Sequence, residues 1–211
     1  MTQFEDVPKL LGNDSARRER LGQLHESHVS PLTEFVETLR REKGSSFEIP
    51  FFDPWDGGTE ARVLNLLEAP GPKAVRSGFI SRNNPDETAK NSFELHRAAG
   101  IPRQWSVSWN IVPWYIGTGI KIRPAKADDI AAATRSLERL LGLLPNLEAI
   151  VLIGRKAQRA EDRVQTLRPG IKIFRSPHPS PLFVNNAPGN RDMILSVLRK
   201  VRIFLEQSVA R

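Results

Sequence analysis

Ala149-Ile150-Val151-Leu152-Ile153 is a run of five apolar residues with no polar position in it. A strand that is covered on both faces needs no polar side, so such a run is typical of a central strand in a parallel sheet. Further strands are predicted at 62–67, 107–112 and 171–174, and helices at 87–99, from about Lys126 to Leu141, after Gly154 and from Asn190 onward. Strands that alternate with helices predict an α/β fold, a three-layer α/β/α sandwich around a central, mainly parallel four-stranded sheet.

Length and composition fit one globular domain. The chain has 211 residues, of which 39% are hydrophobic and 26% are charged, and this is enough to build a substantial core. The loop-like segment 48–58 carries two phenylalanines and a tryptophan, so it is not expected to be a linker. We therefore expect a single domain over 1–211, in which an N-terminal helical region at 1–47 packs on an α/β domain at 48–205.

Two features of the composition limit the functions that the protein can have. Cysteine is absent, which excludes disulfides, thiolate zinc sites, cysteine nucleophiles and cysteine-ligated iron–sulfur clusters. The 31 Lys and Arg residues outnumber the 24 Asp and Glu residues and give a net charge of +7. An excess of this size favours a polyanionic partner, whose binding would weaken with added salt. A merely basic protein is the alternative interpretation.

Apolar segments give no sign of a membrane partner. The first residues, Met1 to Asn13, contain no apolar core of signal-peptide length. No run of about eighteen apolar residues, the length that a membrane span requires, occurs in the sequence. We expect a cytoplasmic protein that binds no membrane.

Polar residues follow the predicted strands. Ligands of open parallel sheets bind beyond the carboxyl ends of the strands, so residues at these positions are expected to meet on one rim. Glu68 follows the first strand, Asn110 ends the second, Arg155-Lys156 follow the third, and His178 follows the fourth. A carboxylate, an amide and an imidazole together can recognise a planar amide-like ligand, activate water and stabilise a leaving anion.

The segment Ser176-Pro177-His178-Pro179-Ser180-Pro181-Leu182 has unusual stiffness for a loop. Each proline fixes its own φ and lacks the N–H that a sheet needs, so the chain must leave the strand as one rigid, exposed loop. A histidine held in such a loop indicates a contact with a ligand. A simple proline-rich turn is the alternative.

Four motifs in order resemble those of the uracil-DNA glycosylase superfamily, and the similarity covers roughly residues 48–205. They are LLEAPG at Leu66–Gly71, GFISR at Gly78–Arg82, WNIVPW at Trp109–Trp114 and HPSPL at His178–Leu182. HPSPL is similar to the motif of the best-known uracil-DNA glycosylases, and EAPG to that of the iron–sulfur branch. Because the cluster cysteines of that branch are missing, the resemblance implies a member without metal or other cofactor.

The resemblance implies a monofunctional glycosylase that flips uracil out of DNA and hydrolyses its N-glycosidic bond, leaving an abasic site. Phe79 would stack on the uracil ring. Asn110 would pair with the uracil edge and reject cytosine, whose donor and acceptor pattern is reversed. The backbone N–H groups in the turn from Ala69 through Pro70 to Gly71 would hold a uracil oxygen.

Catalysis and DNA contacts are also implied by the resemblance. His178 would donate a hydrogen bond to uracil O2, and Glu68 would position water and stabilise the sugar cation. Ser180 and Pro181 would press on the phosphates, and Leu182 would fill the gap left by the flipped base.

The sequence departs from the family pattern in the first motif. Ala69 stands where the best-known branch has the aspartate of GQDPY, so a general base must come from elsewhere. Gly71 and Ala74 stand where other branches place side chains that block the methyl group of thymine. The segment Arg82–Asp86 is a candidate for a substitute wall, and Asp86 for a second acid.

Structural interpretations stay open for the individual residues. Phe79 is also compatible with a place in the core, Asn110 with satisfying backbone groups, Glu68 with a solvated loop, and Leu182 with packing into the core. At the level of function, a DNA-binding relative or a sensor of abasic or mismatched sites is the alternative. A nucleotide hydrolase ranks lower because neither GxxxxGK[ST] nor GxGxxG opens a helix.

The expected partner is therefore uracil-containing DNA, single- or double-stranded. We expect the protein to be a monomer of bacterial type that acts on DNA in the nucleoid.

Overall fold

Parallel strands form the centre of the protein, for which a computed structural model describes residues 4–118 and 122–209. The strands of this described part are β1 (Phe51–Phe52), β2 (Val63–Leu67), β3 (Phe79–Ile80), β4 (Ser106–Asn110), β5 (Ala149–Ile153) and β6 (Lys172–Ser176). Four of them form one sheet in the order β4-β2-β5-β6, and every neighbouring pair is parallel. The predicted four-stranded parallel sheet is thus confirmed.

Helices connect these strands and cover both faces of the sheet. The α-helices of the described residues are α1 (Asp14–Gly22), α2 (Ser30–Lys43), α3 (Pro72–Ser77), α4 (Glu87–Ala99), α5 (Ala127–Gly142), α6 (Arg155–Gln158), α7 (Glu161–Leu167), α8 (Pro181–Val184) and α9 (Asn190–Val209). No helix in this part of the chain is long and apolar enough to cross a membrane.

Alternate residues of the inner strands face two separate hydrophobic clusters, as strand geometry requires. Leu64 of β2 and Ile150 of β5 belong to the cluster that contains the buried side chains of α2 and α5. Val63 and Val151, their neighbours along the same strands, belong to the cluster that contains those of α4 and α9. Helices therefore cover the sheet on both sides, which confirms the three-layer α/β/α arrangement.

The register of the sheet brings the carboxyl ends of the strands to one edge. Leu67 of β2 pairs with Asn110 of β4, and Ile153 of β5 pairs with Ser176 of β6. If the four strands of this sheet are numbered 1 to 4 in chain order, their order across the sheet is 2-1-3-4. Connections leave β2 and β5 in opposite directions in such an order, and this opens a crevice beyond their carboxyl ends.

The boundaries of two strands differ from the prediction. β4 ends at Asn110 and not at 112, because the next two N–H groups bend toward β2 and donate to the carbonyls of Leu67 (2.8 Å) and Glu68 (3.0 Å). β6 occupies 172–176 and not 171–174. Two helices, α1 and α3, and the small parallel sheet formed by β1 and β3 were not predicted from the sequence.

A cluster of buried charges joins the N-terminal helices to the rest of the chain. Asp53 is 1% exposed and forms ion pairs with Arg20 of α1 and with Arg103 (2.6 Å). Burial alone would raise the pKa of Asp53, but these two guanidinium groups, together with the hydrogen bonds from Ser81 and the Trp55 N–H, lower it to about 2. Asp53 is therefore ionised in the folded protein and fixes the surrounding segments.

Candidate active site

A cavity of about 430 Å³ lies at the carboxyl edge of the sheet. It is bounded by the turn after β2, by α3, by the segment after β3, by the first turns of α4, by one face of β4 and by the loop after β6. Its lining residues are Leu67, Glu68, Ala69, Pro70, Gly71, Pro72, Lys73, Ala74, Ile80, Ser81, Arg82, Asn84, Asp86, Thr88, Ala89, Ser92, Ser108, Asn110, Ile122, His178 and Pro179. The structure thus brings Glu68, Asn110 and His178 together from three strand ends.

Glu68 is held at the cavity by both its side chain and its backbone. Its Oε1 atom accepts a hydrogen bond from the Ala125 N–H (2.6 Å), and its carbonyl accepts one from the Val112 N–H (3.0 Å). These two contacts hold the backbone and the Oε1 atom of Glu68 in place. The side chain is only partly buried, so water can reach it.

Asn110 presents an unpaired donor. Its side chain is 3% exposed, and its Nδ2 atom has no hydrogen-bond partner among the described residues. A buried donor without a partner costs about 1–3 kcal/mol, so a folded protein seldom keeps one without a use. An acceptor on a ligand in the cavity would satisfy this amide.

His178 lies in the proline-rich loop after β6, which is tied to α4. Asn91 of α4 donates from Nδ2 to the Pro179 carbonyl (3.0 Å). Burial lowers the pKa of His178 below its usual value, and the negative charge of Glu68 acts in the opposite direction. The imidazole is therefore neutral at pH 7 and can donate one N–H bond without carrying a positive charge.

Gly154, at the end of β5, packs directly against His178. Its φ is +85° and its ψ is 156°, a backbone conformation that residues with a Cβ atom rarely adopt. A Cβ atom at this position would lie 3.2 Å from the Cβ of His178 and 3.4 Å from its Cδ2. The glycine lets the histidine loop approach the sheet closely.

The turn after β2 lines the cavity with small residues. Ala69, Pro70 and Gly71 all contact it, as does Ala74 in α3. A Cβ atom added to Gly71 would meet no other atom within 4 Å, so this side of the cavity is open. No carboxylate stands at Ala69, and Glu68 is the acidic residue of this turn that faces the cavity.

The segment after β3 lines one side of the cavity, and its predicted role as a wall against thymine stays a prediction. Arg82, Asn84 and Asp86 line the cavity, whereas Asn83 does not. Asp86 caps α4 by accepting a hydrogen bond from the Ala89 N–H (2.9 Å). Burial raises the pKa of Asp86, although its backbone hydrogen bonds act in the opposite direction.

Phe79 departs from the prediction, because the structure does not bring it to the cavity. Its side chain is 0% exposed and packs in a separate cluster with Leu11 and Leu24 of the N-terminal region. A ring with no accessible surface cannot stack on a ligand in this conformation. The next residue, Ile80, lines the cavity instead.

The predicted DNA-contacting residues lie outside the cavity, beside His178. Ser180 is the N-cap of the short helix α8, which contains Pro181 and Leu182. Leu182 is 84% exposed, so it does not pack into the core. A large apolar side chain thus projects into solvent from a short helix that directly follows the proline-rich loop.

Several polar residues that line the cavity, among them Ser108 and Ser92, were not predicted from the sequence. Ser108 could have been found, because side chains alternate along a strand and Ser108 shares a face of β4 with Asn110. Ser92 lies on α4 without a comparable signal. Among the described residues, no three His, Asp or Glu side chains lie together as a metal site would require.

Two solved structures are similar to this chain. The crystal structure of wild-type SMUG2 from Pedobacter heparinus is 13% identical, with 86% of each chain covered and a TM-score of 0.56. A solution NMR structure of a provisionally named uracil DNA glycosylase from Methanosarcina acetivorans is 16% identical, with 68% of this chain and 92% of that chain covered and a TM-score of 0.47. Identities this low support a shared fold and nothing more, and it is the SMUG2 structure that supports it. No curated protein sequence matches the chain.

The family is decided by a match of another kind. A family model described as the uracil DNA glycosylase superfamily matches residues 54–202, which is well over half of the sequence. This region includes the three strand-end residues of the cavity, Glu68, Asn110 and His178. It also includes all four motifs that carried the resemblance, and we conclude that the chain belongs to the uracil DNA glycosylase superfamily.

Proposed function

We propose that the protein is a monofunctional DNA glycosylase that hydrolyses the N-glycosidic bond of uracil in DNA and leaves an abasic site. The single observation that carries the proposal is the meeting of Glu68, Asn110 and His178 in one cavity at the carboxyl edge of the sheet. A base inside a stacked duplex cannot reach a cavity of this kind, so the target nucleotide must rotate out of the helix.

Recognition of the base rests on Asn110. Its unpaired Nδ2 would donate to uracil O4, and its Oδ1 would accept from N3–H. Cytosine offers a donor at position 4 and an acceptor at position 3, so a fixed amide pairs with uracil and opposes cytosine. The buried position of Asn110 increases the cost of a mismatch, because an unpaired group cannot turn to water.

Bond cleavage rests on His178 and Glu68. As the C1′–N1 bond breaks, its electron pair moves to the base, and negative charge builds at uracil O2. A neutral imidazole that donates to O2 stabilises this charge by an amount on the order of 3 kcal/mol. Glu68 positions a water molecule against C1′, accepts its proton and stabilises the positive charge on the sugar.

Leu182 would support base flipping from outside the cavity. Its exposed side chain on the short helix α8 can enter the space that the flipped nucleotide leaves. An apolar wedge of this kind offsets the stacking that is lost, which amounts to about a few kcal/mol per step. Ser180 and Pro181 lie next to it, where they would contact the phosphates.

The test is release of uracil from oligonucleotides. Purified protein is incubated with single-stranded, U:A and U:G substrates, and alkali then cleaves the strand at each abasic site. His178→Ala should abolish cleavage, whereas His25→Ala, the same change at an exposed residue, should leave it unchanged. Absence of uracil release from all three substrates refutes the proposal, and retained DNA binding would then indicate a DNA-binding relative.

A further inference from the structure

Asn83 connects the lining of the candidate active site to the start of the chain. It belongs to the segment Arg82–Asp86, called the wall below, and its two neighbours in sequence line the cavity while Asn83 itself is 0% exposed. Its Nδ2 atom donates to Asp6 Oδ1 (2.8 Å) and to the Val7 carbonyl (2.8 Å). Its own carbonyl accepts from the Leu11 N–H (3.0 Å). Three hydrogen bonds therefore tie the wall to the N-terminal residues.

Residues 6–12, which we call the N-terminal strap, hold the wall at two further points. Lys9 forms an ion pair with Glu87, which directly follows the wall and begins α4. A Cβ atom added to Gly12 would lie 3.4 Å from the Cβ of Pro85, so the backbone of the strap lies against this proline. The strap thus holds the wall near its start and near its end.

The backbone of the strap is itself constrained. Lys9 has φ of 63° and ψ of 13°, and it is the only residue other than glycine with a positive φ in the part of the chain that the structure describes. A Cβ atom is crowded by the backbone in this left-handed region, so the conformation persists only where surrounding contacts impose it. Constraints of this kind are frequent beside functional sites.

Arg103 joins the strap and the wall to the buried charges of the core. Its Nη1 atom donates to Asp6 Oδ1 (2.7 Å) and to Asn83 Oδ1 (2.7 Å), while Nη2 pairs with Asp53 (2.6 Å). One carboxylate oxygen of Asp6 therefore accepts from both the wall and Arg103. Removal of this carboxylate would leave both donors short of an acceptor.

We propose that the N-terminal strap positions the wall and thereby sets the base selectivity of the candidate active site, with Asp6 as the central positioning residue. The inference rests on the proposed function, because selectivity requires that a base is released. Gly71 and Ala74 line the cavity and offer little bulk against a substituent at C5 of uracil, so its exclusion falls to the wall. Residues 6–12 precede the matched region 54–202, so the family motifs do not account for this control.

The experiment compares two bases that differ mainly in size. Fluorine and bromine at C5 of uracil withdraw electrons to a similar extent, but bromine is about as large as the methyl group of thymine. Single-turnover release of 5-fluorouracil and of 5-bromouracil from single-stranded oligonucleotides is measured with the full chain, and the free base is quantified by chromatography. Release of uracil is measured alongside as the test of the proposed function.

Three variants separate position from stability. Asp6→Ala removes the shared acceptor, whereas Asp6→Asn retains an oxygen that can accept from the same donors. Glu5→Ala truncates the exposed neighbouring carboxylate and is the matched control. A loss of stability alone lowers both rates together and leaves their ratio unchanged.

Wild-type protein should release 5-fluorouracil faster than 5-bromouracil, because one methyl-sized group in a fitted pocket is worth about 10- to 200-fold. Asp6→Ala should lower this ratio by roughly three- to tenfold, since a displaced wall forfeits part of that discrimination. Asp6→Asn and Glu5→Ala should keep the ratio within about twofold.

Hydrogen exchange tests the position of the wall without any base. The Asn84 N–H donates to the Ser81 carbonyl (3.3 Å) and the Asp86 N–H to the Asn84 carbonyl (2.8 Å). Both amide protons should exchange roughly tenfold faster in Asp6→Ala than in Glu5→Ala, because the strap no longer holds the wall.

The outcomes distinguish this inference from the proposed function. Equal release of the two halogenated bases by wild-type protein, or an unchanged ratio in Asp6→Ala, overturns the inference while release of uracil still supports the glycosylase. Unchanged exchange in Asp6→Ala shows that the strap does not hold the wall and overturns it as well. A wild-type protein that releases no base refutes the proposed function and the selectivity together.

Discussion

Replacing Gly154 with alanine tests whether His178 acts from the position that the structure gives it. The new Cβ atom would lie 3.2 Å from the Cβ of His178, which is closer than ordinary van der Waals contact. The histidine must therefore move by a few tenths of an ångström. The substitution also forces alanine into a conformation with φ of +85° and ψ of 156°, which costs roughly 1–3 kcal/mol.

A matched control separates the strain from the contact. Gly44, after α2, has φ of +86° and ψ of 169°, so alanine is strained there to a similar extent. A Cβ atom on Gly44 would meet nothing within 4 Å. Gly44→Ala therefore reproduces the loss of stability without touching the candidate active site.

The expected magnitudes follow from these two contributions. Both variants should lose roughly 1–3 kcal/mol of unfolding free energy, at about 2–4 °C in Tm per kcal/mol. Complete loss of one donor to a developing oxyanion costs about 10²- to 10³-fold in rate. Since His178 is displaced and not removed, Gly154→Ala should lower the rate of uracil release by roughly ten- to a hundredfold.

The assay is single-turnover release of uracil from a single-stranded oligonucleotide, at a temperature well below the Tm of both variants. Thermal unfolding by circular dichroism gives the stability of each. Gly44→Ala should keep the wild-type rate within about twofold, because nothing in its surroundings reaches the cavity. Equal rates for the two variants would show that the contact of Gly154 with His178 has no role in catalysis.

Four further outcomes are expected. Glu68→Gln should lower the pKa of His178 further, because the carboxylate of the wild-type protein stabilises the imidazolium. An NMR titration in which the pKa of His178 rises would contradict the proximity of the two groups. Asn110→Asp should shift base preference toward cytosine or abolish activity, and an unchanged preference for uracil removes Asn110 from recognition. Leu182→Ala should slow release from U:A duplexes more than from single strands, and equal losses refute the wedge. His96 is buried and neutral, with a pKa lowered from 6.5 to about 3 by burial and nearby arginines. The folded state thus resists protonation of His96, and this residue alone should lower the free energy of unfolding by roughly 1.4 kcal/mol per pH unit as the pH falls from 6.5 toward 3. His96→Gln should reduce the slope measured in denaturant titrations over this pH range, and an unchanged slope would contradict the burial of a neutral His96.

The sheet could be predicted from the sequence because its signal is local. The apolar run predicts β5 at its observed bounds, Ala149–Ile153, because a strand that is buried on both faces is apolar at every position. The meeting of Glu68, Asn110 and His178 could be anticipated for a similar reason. In a parallel sheet, residues that follow the strands share one edge whatever the rest of the fold does.

The position of Phe79 could not be predicted in this way. A motif indicated that its ring faces a ligand, but the ring's surroundings are set by Leu11 and Leu24, more than fifty residues earlier. The two-residue strand β3 is too short to show alternation, so its sequence does not indicate which side chain faces the cavity. Consequently Ile80 and not Phe79 lines the site.

The wall of the cavity has the same dependence on distant residues. Asn83 is held by hydrogen bonds from its Nδ2 atom to Asp6 (2.8 Å) and to the Val7 carbonyl (2.8 Å), while Ser81 donates to Asp53, which is paired with Arg20. Charged residues this far apart in sequence give no local pattern that predicts their pairing or their burial. Several of these partners precede residue 54, where the family match begins. Motifs therefore predict which strand-end residues line the cavity, whereas the position of the wall depends on contacts with the N-terminal region that only the folded chain reveals.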